Sequence, residues 1–352
     1  PIPPKKLSGM EITRAQGQLM TRKVRARYSQ MNQALSSPIS SRITGGRTAE
    51  VAGRRVMDLM EDYDLDMCRV GDATQENVDL ICRRARESGS SFILAVGGGS
   101  KIDLAKVVSN ELHLPFVAIP TSASHDGIAS NRASLKSSEG SRSIESASPM
   151  GVLADTEIIS QAPYRLLASG CADVISNLTA IMDWDFARRL KGESFSRTAY
   201  SLSKHAAEEI LEASGLIKPG VEDSVWIAIK PIIMSGVSMS FAGSSRPTSG
   251  AEHMFSHMLD LRCPGKSLHG EQCGVGSIMT MYLHGGDWER IRDALAEIGA
   301  PTTAKELGIP AKEIVYSLAH ATEIRKDRFT ILGDNGITEE VAERVATVTG
   351  VI

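Results

Sequence analysis

Apolar residues between Thr44 and Asp155 follow two spacings in turn. Thr48 to Tyr63 carries Val51, Val56, Leu59 and Met60 at helical spacing, and Gln75 to Ser88 sets Val78, Ile81 and Cys82 on one helical face. Short unbroken apolar runs alternate with these segments. Residues 91–96 (SFILAV) end in Gly97-Gly98-Gly99, residues 116–119 (FVAI) end at Pro120, and residues 151–154 (GVLA) form a third run. Runs of this length, bounded by glycine or proline, predict buried parallel strands. A further helix opens across Leu104 to Asn110. The alternation predicts an open parallel α/β sheet over residues 44–155.

Beyond Asp155 the alternation stops. Residues 163–190, 197–214, 222–243, 249–260, 270–285, 287–298 and 311–326 all read as helices, punctuated by Gly215, Pro219, Pro247, Pro264, Gly285 and Pro301. The expected organisation is an α/β domain over 43–158 and a helical domain over 159–352, with a ligand site in the cleft between them. Residues 1–42 stand apart as an atypical basic segment: eight Lys or Arg residues face one acid, Glu11. Their composition is similar to that of a transit peptide, but a solvated N-terminal segment is the expected reading. The stretch QALSSPISSRITGG is too polar to predict a buried strand, so residues 1–40 are expected to pack poorly.

Composition narrows the function classes. With 352 residues, 42% of them hydrophobic, the chain has material for two ordinary cores. A formal charge of −3 predicts no polyanion-binding face, so no nucleic-acid partner is expected. No run of eighteen apolar residues occurs, so no membrane span is expected. The five cysteines (Cys68, Cys82, Cys171, Cys263 and Cys273) form no CxxC pair. Neither a disulfide framework nor a cysteine zinc site is therefore expected, and a soluble, cytoplasmic protein is.

Four segments carry candidate chemistry. Gly97-Gly98-Gly99-Ser100-Lys101-Ile102-Asp103 joins a strand to a helix, where small residues and free N–H groups suit a phosphate. The spacing is neither a P-loop nor GxGxxG. Thr121-Ser122-Ala123-Ser124-His125-Asp126-Gly127 follows the next strand and offers hydroxyls to a cofactor or substrate. His253 and His257 share one helical face, as metal ligands, as a ligand and a proton carrier, or as plain surface histidines. His269 at a helix start and Asp173 in an apolar stretch could complete a three-ligand zinc site, although separations of this size signal nothing by themselves.

Taken in order, GGGSKIDLAK, PTSASHDGIAS, SGCADVISN, GAEHMFSH and SLHGEQCGVG resemble the sn-glycerol-1-phosphate dehydrogenase family, within the glycerol dehydrogenase and dehydroquinate synthase superfamily. The resemblance covers about residues 43–345. It implies a Rossmann-like N-terminal domain, an all-helical C-terminal domain, NAD or NADP, and one zinc ion per chain. It implies Asp173, His253 and His269 as metal ligands. Gly98, Gly99, Ser100, Lys101, Ile102 and Asp103 would hold the cofactor pyrophosphate, and Thr121, Ser122, Ala123, Ser124 and Ser130 would line the nicotinamide side. Asp126, Asp173 and His257 would contact the substrate, with His257 and Asp126 as the catalytic proton carriers. The implied reaction is reduction of dihydroxyacetone phosphate to sn-glycerol 1-phosphate, a step toward ether-lipid backbones, by a homo-oligomer. Arg246 and Lys266 flank the histidine segments and are candidates for the substrate phosphate. Three alternatives are a glycerol or other polyol dehydrogenase, a lyase of the dehydroquinate synthase type, and a non-catalytic paralogue with a damaged cofactor domain. Asp173 is followed three residues later by Ser176 rather than lysine, which speaks against the lyase.

Overall fold

The computed structural model describes residues 39–53, 56, 58, 64–137 and 140–352. Its strands are β1 (Ile39–Thr44), β2 (Asp64–Arg69), β3 (Phe92–Gly97), β4 (Phe116–Pro120), β5 (Arg132–Ser137), β6 (Gly140–Glu145) and β7 (Gly151–Val152). Five of them form one parallel sheet in the order β2-β1-β3-β4-β7, while β5 and β6 pair as a separate antiparallel hairpin. Phe92, Leu94 and Val96 join one apolar cluster, and Ile93 and Ala95 join another. That division of one strand shows a sheet covered on both faces, as its unbroken apolar reading predicts.

β1 corrects an expectation. The polar segment ISSRIT is not a loose end but an inner strand, hydrogen-bonded in register to both neighbours, with Ile43 opposite Cys68 and Ala95. Main-chain pairing on both edges forms a strand whatever the polarity of its side chains. Ile43 and Thr44 are fully buried. The expectation for residues 1–40 therefore fails at Ile39 and Ser40, and residues 1–38 lie outside the described residues.

Three other segments also differ from their reading. Gly46–Thr48 begins a helix that passes into a π turn at Ala49–Gly53, which swings Val51 out to solvent and buries Ala49 and Ala52. The continuation of that helix toward Tyr63 falls largely outside the described residues. β2 went unpredicted because its two aspartates count against a strand, and the β5–β6 hairpin because its residues are mostly polar and small.

The helices are α1 (Gln75–Glu87), α2 (Gly99–Leu112), α3 (Thr156–Ser160), α4 (Tyr164–Lys191), α5 (Arg197–Glu212), α6 (Glu222–Ala242), α7 (Ala251–Arg262), α8 (His269–Leu283), α9 (Trp288–Ile298), α10 (Ala304–Leu307), α11 (Ala311–Ala319) and α12 (Glu339–Val348). The short α3 and α10 and the C-terminal α12 have no counterpart in the reading above, and the segment 311–326 is helical only as far as Ala319 before a 3-10 turn at Ala321–Glu323. α4, 28 residues long and stopped by a left-handed Gly192, runs through the helical region against α5, α6 and α8. α6 has the length and apolarity of a membrane span, but half of that window is buried against its neighbours.

Two features of the fold position a site. The strand order reverses between β1 and β3, and a crevice opens there at the carboxyl ends of the strands. Glycines on the helices then let backbone approach closely. A Cβ on Gly170 would stand 2.1 Å from the Ala123 carbonyl oxygen, and one on Gly270 2.0 Å from that of Ser169. The loop after β4 and the start of α8 are thereby drawn against α4.

Candidate active site

α4 carries Asp173, α7 carries His253 and His257, and α8 begins at His269. The two imidazole Nε2 atoms of His253 and His269 lie 3.7 and 3.8 Å from Asp173 Oδ1. That oxygen is buried and accepts no hydrogen bond, whereas Oδ2 accepts one from the Asp126 amide at 2.9 Å. An orphaned carboxylate oxygen in a buried site is costly. Two imidazoles facing it beyond hydrogen-bond reach fit a cation held among them, since tetrahedral zinc ligands bonded at about 2.0–2.1 Å stand roughly 3.3 Å apart. Cys273 completes the group: one donor atom from each of these four residues lies within 4.8 Å of the others. The plain surface-histidine reading fails for His253, which is buried.

The tautomers are set from behind. His253 Nδ1 bonds at 3.1 Å to Oε1 of the fully buried Glu252, which also accepts from the Gly250 amide and the Thr179 hydroxyl. Nδ1 is thereby fixed as a donor, so the nitrogen that faces Asp173, and that a deprotonated ring would offer to a metal, is Nε2. For His269 the logic runs through three side chains. Gln272 Nε2 donates to Asp260 at 3.0 Å, so Gln272 Oε1 accepts from Ser256 at 2.6 Å. The Ser256 oxygen is then the acceptor for His269 Nδ1–H at 3.0 Å, and His269 Nε2 also faces the cluster. Sequence reading had no access to Glu252, Ser256 or Gln272 in these roles, because nothing in spacing links them to a lone pair.

Electrostatics register the burial of these groups. Burial, and then the neighbouring Asp126, push the Asp173 carboxyl up to about 7. Burial, with His253, His257 and His125 nearby, holds His269 well below the usual imidazole range. For His253 burial works the other way from its partners, and Cys273 and Glu252 prevail to hold it well above that range. His257, stacked 5.6 Å from His269, is lowered to about 4 by burial, then by His253, Arg325 and Arg328. It is neutral at physiological pH.

Asp126 opens a 3-10 turn at Asp126–Ala129. Its carboxylate accepts from Ser235 Oγ at 2.7 Å, and Ser235 accepts from Asn177 Nδ2 at 2.7 Å. Lys106, fully buried, pairs with Asp103 at 3.1 Å and donates to the Gly127 and Arg132 carbonyls and to Ser130. Asp103 and Ser130 are thus engaged with Lys106, and Ile102 is fully buried in the core. These three cofactor candidates face protein, whereas Gly98, Gly99, Ser100 and Lys101 line a groove of about 410 Å³. Gly45, Gly46 and Thr48 after β1, with Gly71 and Asp72 after β2, form its other wall. Those five went unrecognised because the strands before them went unrecognised. Thr121 is hydrogen-bonded through its amide to Gly97, Ser122 lies beside Gly98, Ala123 lies on Gly170, and the Ser124 carbonyl accepts from Ser169. The candidate nicotinamide loop therefore lies between the groove and the metal cluster.

His125 occupies the same boundary. Its Nδ1 accepts from the Gly127 amide at 3.1 Å, and its ring fills the space a side chain on Gly99 would need, 2.1 Å from a Cβ there. Gly99→Ala is expected to displace His125 and weaken cofactor binding by about tenfold, near 1.4 kcal/mol. NADH fluorescence titration measures this; an unchanged affinity would put the pyrophosphate elsewhere.

A group of cations borders the cluster. Arg246 is neutralised by a two-pronged pair with Glu193, and Lys266 is exposed. Arg246 is therefore already paired. Arg328, by contrast, is buried and donates to the Ser249 carbonyl and Ser245 hydroxyl, with no carboxylate among its hydrogen-bond partners in the described residues. Arg132 Nε is buried without a hydrogen-bond partner. Burial, followed by the Arg325 guanidinium, lowers both Arg132 and Arg328, the latter to about 9. Arg325, which also pairs with Asp327 at 3.3 Å, thus stands electrostatically close to Arg132, Arg328 and His257.

The fold and the arrangement of this candidate site are those of the iron-containing alcohol dehydrogenase class. Residues 29–163 match the family model described as iron-containing alcohol dehydrogenase. Among solved structures, a probable glycerol dehydrogenase from Sinorhizobium meliloti 1021 superposes with TM-score 0.72 at 19% identity, covering 92% of this chain and 93% of that one. Sulfoacetaldehyde reductase from Bifidobacterium kashiwanohense, in complex with NAD+, gives 0.72 at 16% identity, covering 91% and 93%. Both share the fold. Glycerol-1-phosphate dehydrogenase, NAD(P)+, of Methanosarcina acetivorans is 53% identical over 312 residues, 88% of this chain and 87% of that protein. The Methanothermobacter thermautotrophicus enzyme of the same name is 53% identical over 314 residues, 88% and 89%. The chain belongs to the glycerol-1-phosphate dehydrogenase family.

Proposed function

We propose that the protein reduces dihydroxyacetone phosphate to sn-glycerol 1-phosphate with NADH or NADPH, using zinc held by Asp173, His253 and His269. The carrying observation is the orphaned Asp173 Oδ1 facing two imidazole nitrogens whose rings are oriented by hydrogen bonds at Nδ1. The names of the relatives supply the substrate. When bound, the metal polarises the substrate carbonyl, and the nicotinamide supplies hydride. The chain's own groups do the rest. Asp126 fixes Asp173 through its amide and presents a carboxylate steadied by Ser235. His257, neutral, donates a ring N–H to the substrate oxygen and relays with Asp126 the proton that the new hydroxyl requires. Arg132, Arg325 and Arg328 receive the phosphate, whose charge relieves their mutual repulsion. Gly98 to Lys101, opposite Gly45 and Gly46, hold the cofactor pyrophosphate at the start of α2.

The enzyme acts in the cytoplasm as a homo-oligomer. Exposed apolar side chains including Met150, Leu153, Trp226 and Phe241 support self-association. The decisive experiment is oxidation of NADH and NADPH with dihydroxyacetone phosphate, with and without a chelator. Turnover should be lost on chelation and restored by Zn2+. No turnover in the presence of added zinc would favour the non-catalytic paralogue.

A further inference from the structure

The groove between β1 and β3 has two ends. The start of α2 offers N–H groups to a pyrophosphate, and the loop after β4 leads from there toward the metal cluster. With the nicotinamide half on the β4 side, the adenosine half takes the opposite wall, at Gly45 and Gly46 after β1 and Gly71 and Asp72 after β2. Of the described side chains lining the groove, only Asp72 and Lys101 are charged. The Lys101 stem crosses over Gly97 and Gly45, where a Cβ would stand 2.7 Å from its Cγ and 2.9 Å from its Cε respectively. Its ammonium ends on the Gly71 carbonyl, next in the chain to Asp72. Lys136 reaches the same end from the β5–β6 hairpin. Its amide donates to the Ala73 carbonyl at 2.7 Å, and its ammonium pairs with Asp72 Oδ2 at 3.2 Å. The Asp72 carbonyl in turn accepts from Asn77 Nδ2 at 2.7 Å and from the Thr74 amide at 3.0 Å. Burial lowers Lys101, with Asp72 opposing that shift and Lys136 adding to it, so the three charges act on one another.

We infer that Asp72 and Lys136 select between NADH and NADPH, each by engaging a different group on the adenosine ribose. The inference rests on the cofactor placement proposed above and adds to it the chemistry of the far end. NADH presents vicinal ribose hydroxyls, which donate to a carboxylate. NADPH presents a 2′-phosphate, which a carboxylate repels and an ammonium binds. This chain carries both groups, paired with each other. The pair is exposed on both sides, 64% at Asp72 and 58% at Lys136, so little holds it shut. Asp72 turns to the hydroxyls of NADH, while Lys136 and Lys101 meet the phosphate of NADPH. Two ammonium groups against one carboxylate leave one positive charge over at this end, the sign that a 2′-phosphate requires. The anchored main chains of both residues keep the side chains at the groove while they exchange partners.

The test is a set of cofactor titrations. The full-length, zinc-loaded parent protein, Lys136→Gln and Asp72→Asn are each titrated with NADH and with NADPH, without substrate, and binding is followed by nicotinamide fluorescence. Lys136→Gln should weaken NADPH by about tenfold and leave NADH within about twofold, because a contact to phosphate is lost and none to a hydroxyl is. Asp72→Asn should act in the opposite sense, weakening NADH by about fivefold and tightening NADPH. Both residues are exposed, so neither substitution threatens the fold. Salt provides a check on the parent protein alone: between about 0.05 and 0.5 M, NADPH should lose affinity more steeply than NADH. Equal changes for the two cofactors in each variant, no change in either, or parallel salt slopes would overturn the selector assignment while leaving the dehydrogenase reading intact. A parent protein that binds neither cofactor would overturn the cofactor placement and this inference together.

Discussion

Asp173→Asn is expected to lower turnover by at least about 10³-fold and to release the metal, while the fold survives. The magnitude follows from removing the anionic ligand, since a charge-stabilising group lost from an active site typically costs about 10²–10³-fold even where the metal stays. Asparagine keeps the shape and can still accept from the Asp126 amide, so the local geometry has no reason to collapse. Stability should move the other way. In the metal-free protein the Asp173 carboxyl titrates near 7, against 3.8 for an ordinary aspartate. Its protonated form is therefore favoured by the fold, and metal-free stability falls as pH rises from about 4 through 7. Asp173→Asn lacks that component. Metal-free wild type should lose thermal stability between pH 5 and pH 8 relative to the metal-free variant, and zinc should rescue only the wild type at pH 8. Differential scanning calorimetry of both proteins at the two pH values, with and without metal, measures this. Equal pH profiles would mean that Asp173 is not a desolvated acid awaiting a cation.

The contrast between Asp173 and Ile39–Thr44 shows where sequence reading succeeds and where it stops. Unbroken apolar runs marked β3 and β4, because strands buried on both faces need apolar side chains at successive positions. β1 is equally internal, yet ISSRIT was misread: its backbone pairing on two edges is invisible in polarity. The error spread, since the groove residues Gly45, Gly46 and Asp72 follow strands that had not been recognised. The proposed metal ligands were legible only as an ordered set of family motifs; no local rule joins residue 173 to 253 and 269. Gly170 and Gly270 sit inside those motifs, and their physical meaning, close helix approach, appears only once Ala123 and Ser169 are seen against them. The arginines are the hardest case. Arg132, Arg325 and Arg328 come from a hairpin and from the segment after Glu323, and only folding turns three scattered cations into one field.

That field gives the second large effect. Arg132→Leu and Arg325→Leu are each expected to raise KM for dihydroxyacetone phosphate and to lower kcat/KM by about 10- to 100-fold, because a hydrogen bond to a charged group contributes roughly 1.5–3 kcal/mol. Unphosphorylated dihydroxyacetone should be reduced with nearly unchanged kcat/KM, since nothing on that substrate meets the guanidinium groups. These two positions separate binding from architecture better than Arg328, whose bonds to Ser249 and Ser245 brace the entry to α7 and hence His253. Arg132 Nε has no such bond to lose. Removing Arg325 should also relieve His257, whose protonation Arg325 opposes after burial and His253. The acid limb of the pH–rate profile, if it reports His257, should then move to higher pH in Arg325→Leu. A matched loss for both substrates would show that the arginines support the site's shape rather than the phosphate. A selective loss for the phosphorylated substrate alone, with the acid limb displaced, is the pattern that electrostatic recognition of a phosphate requires.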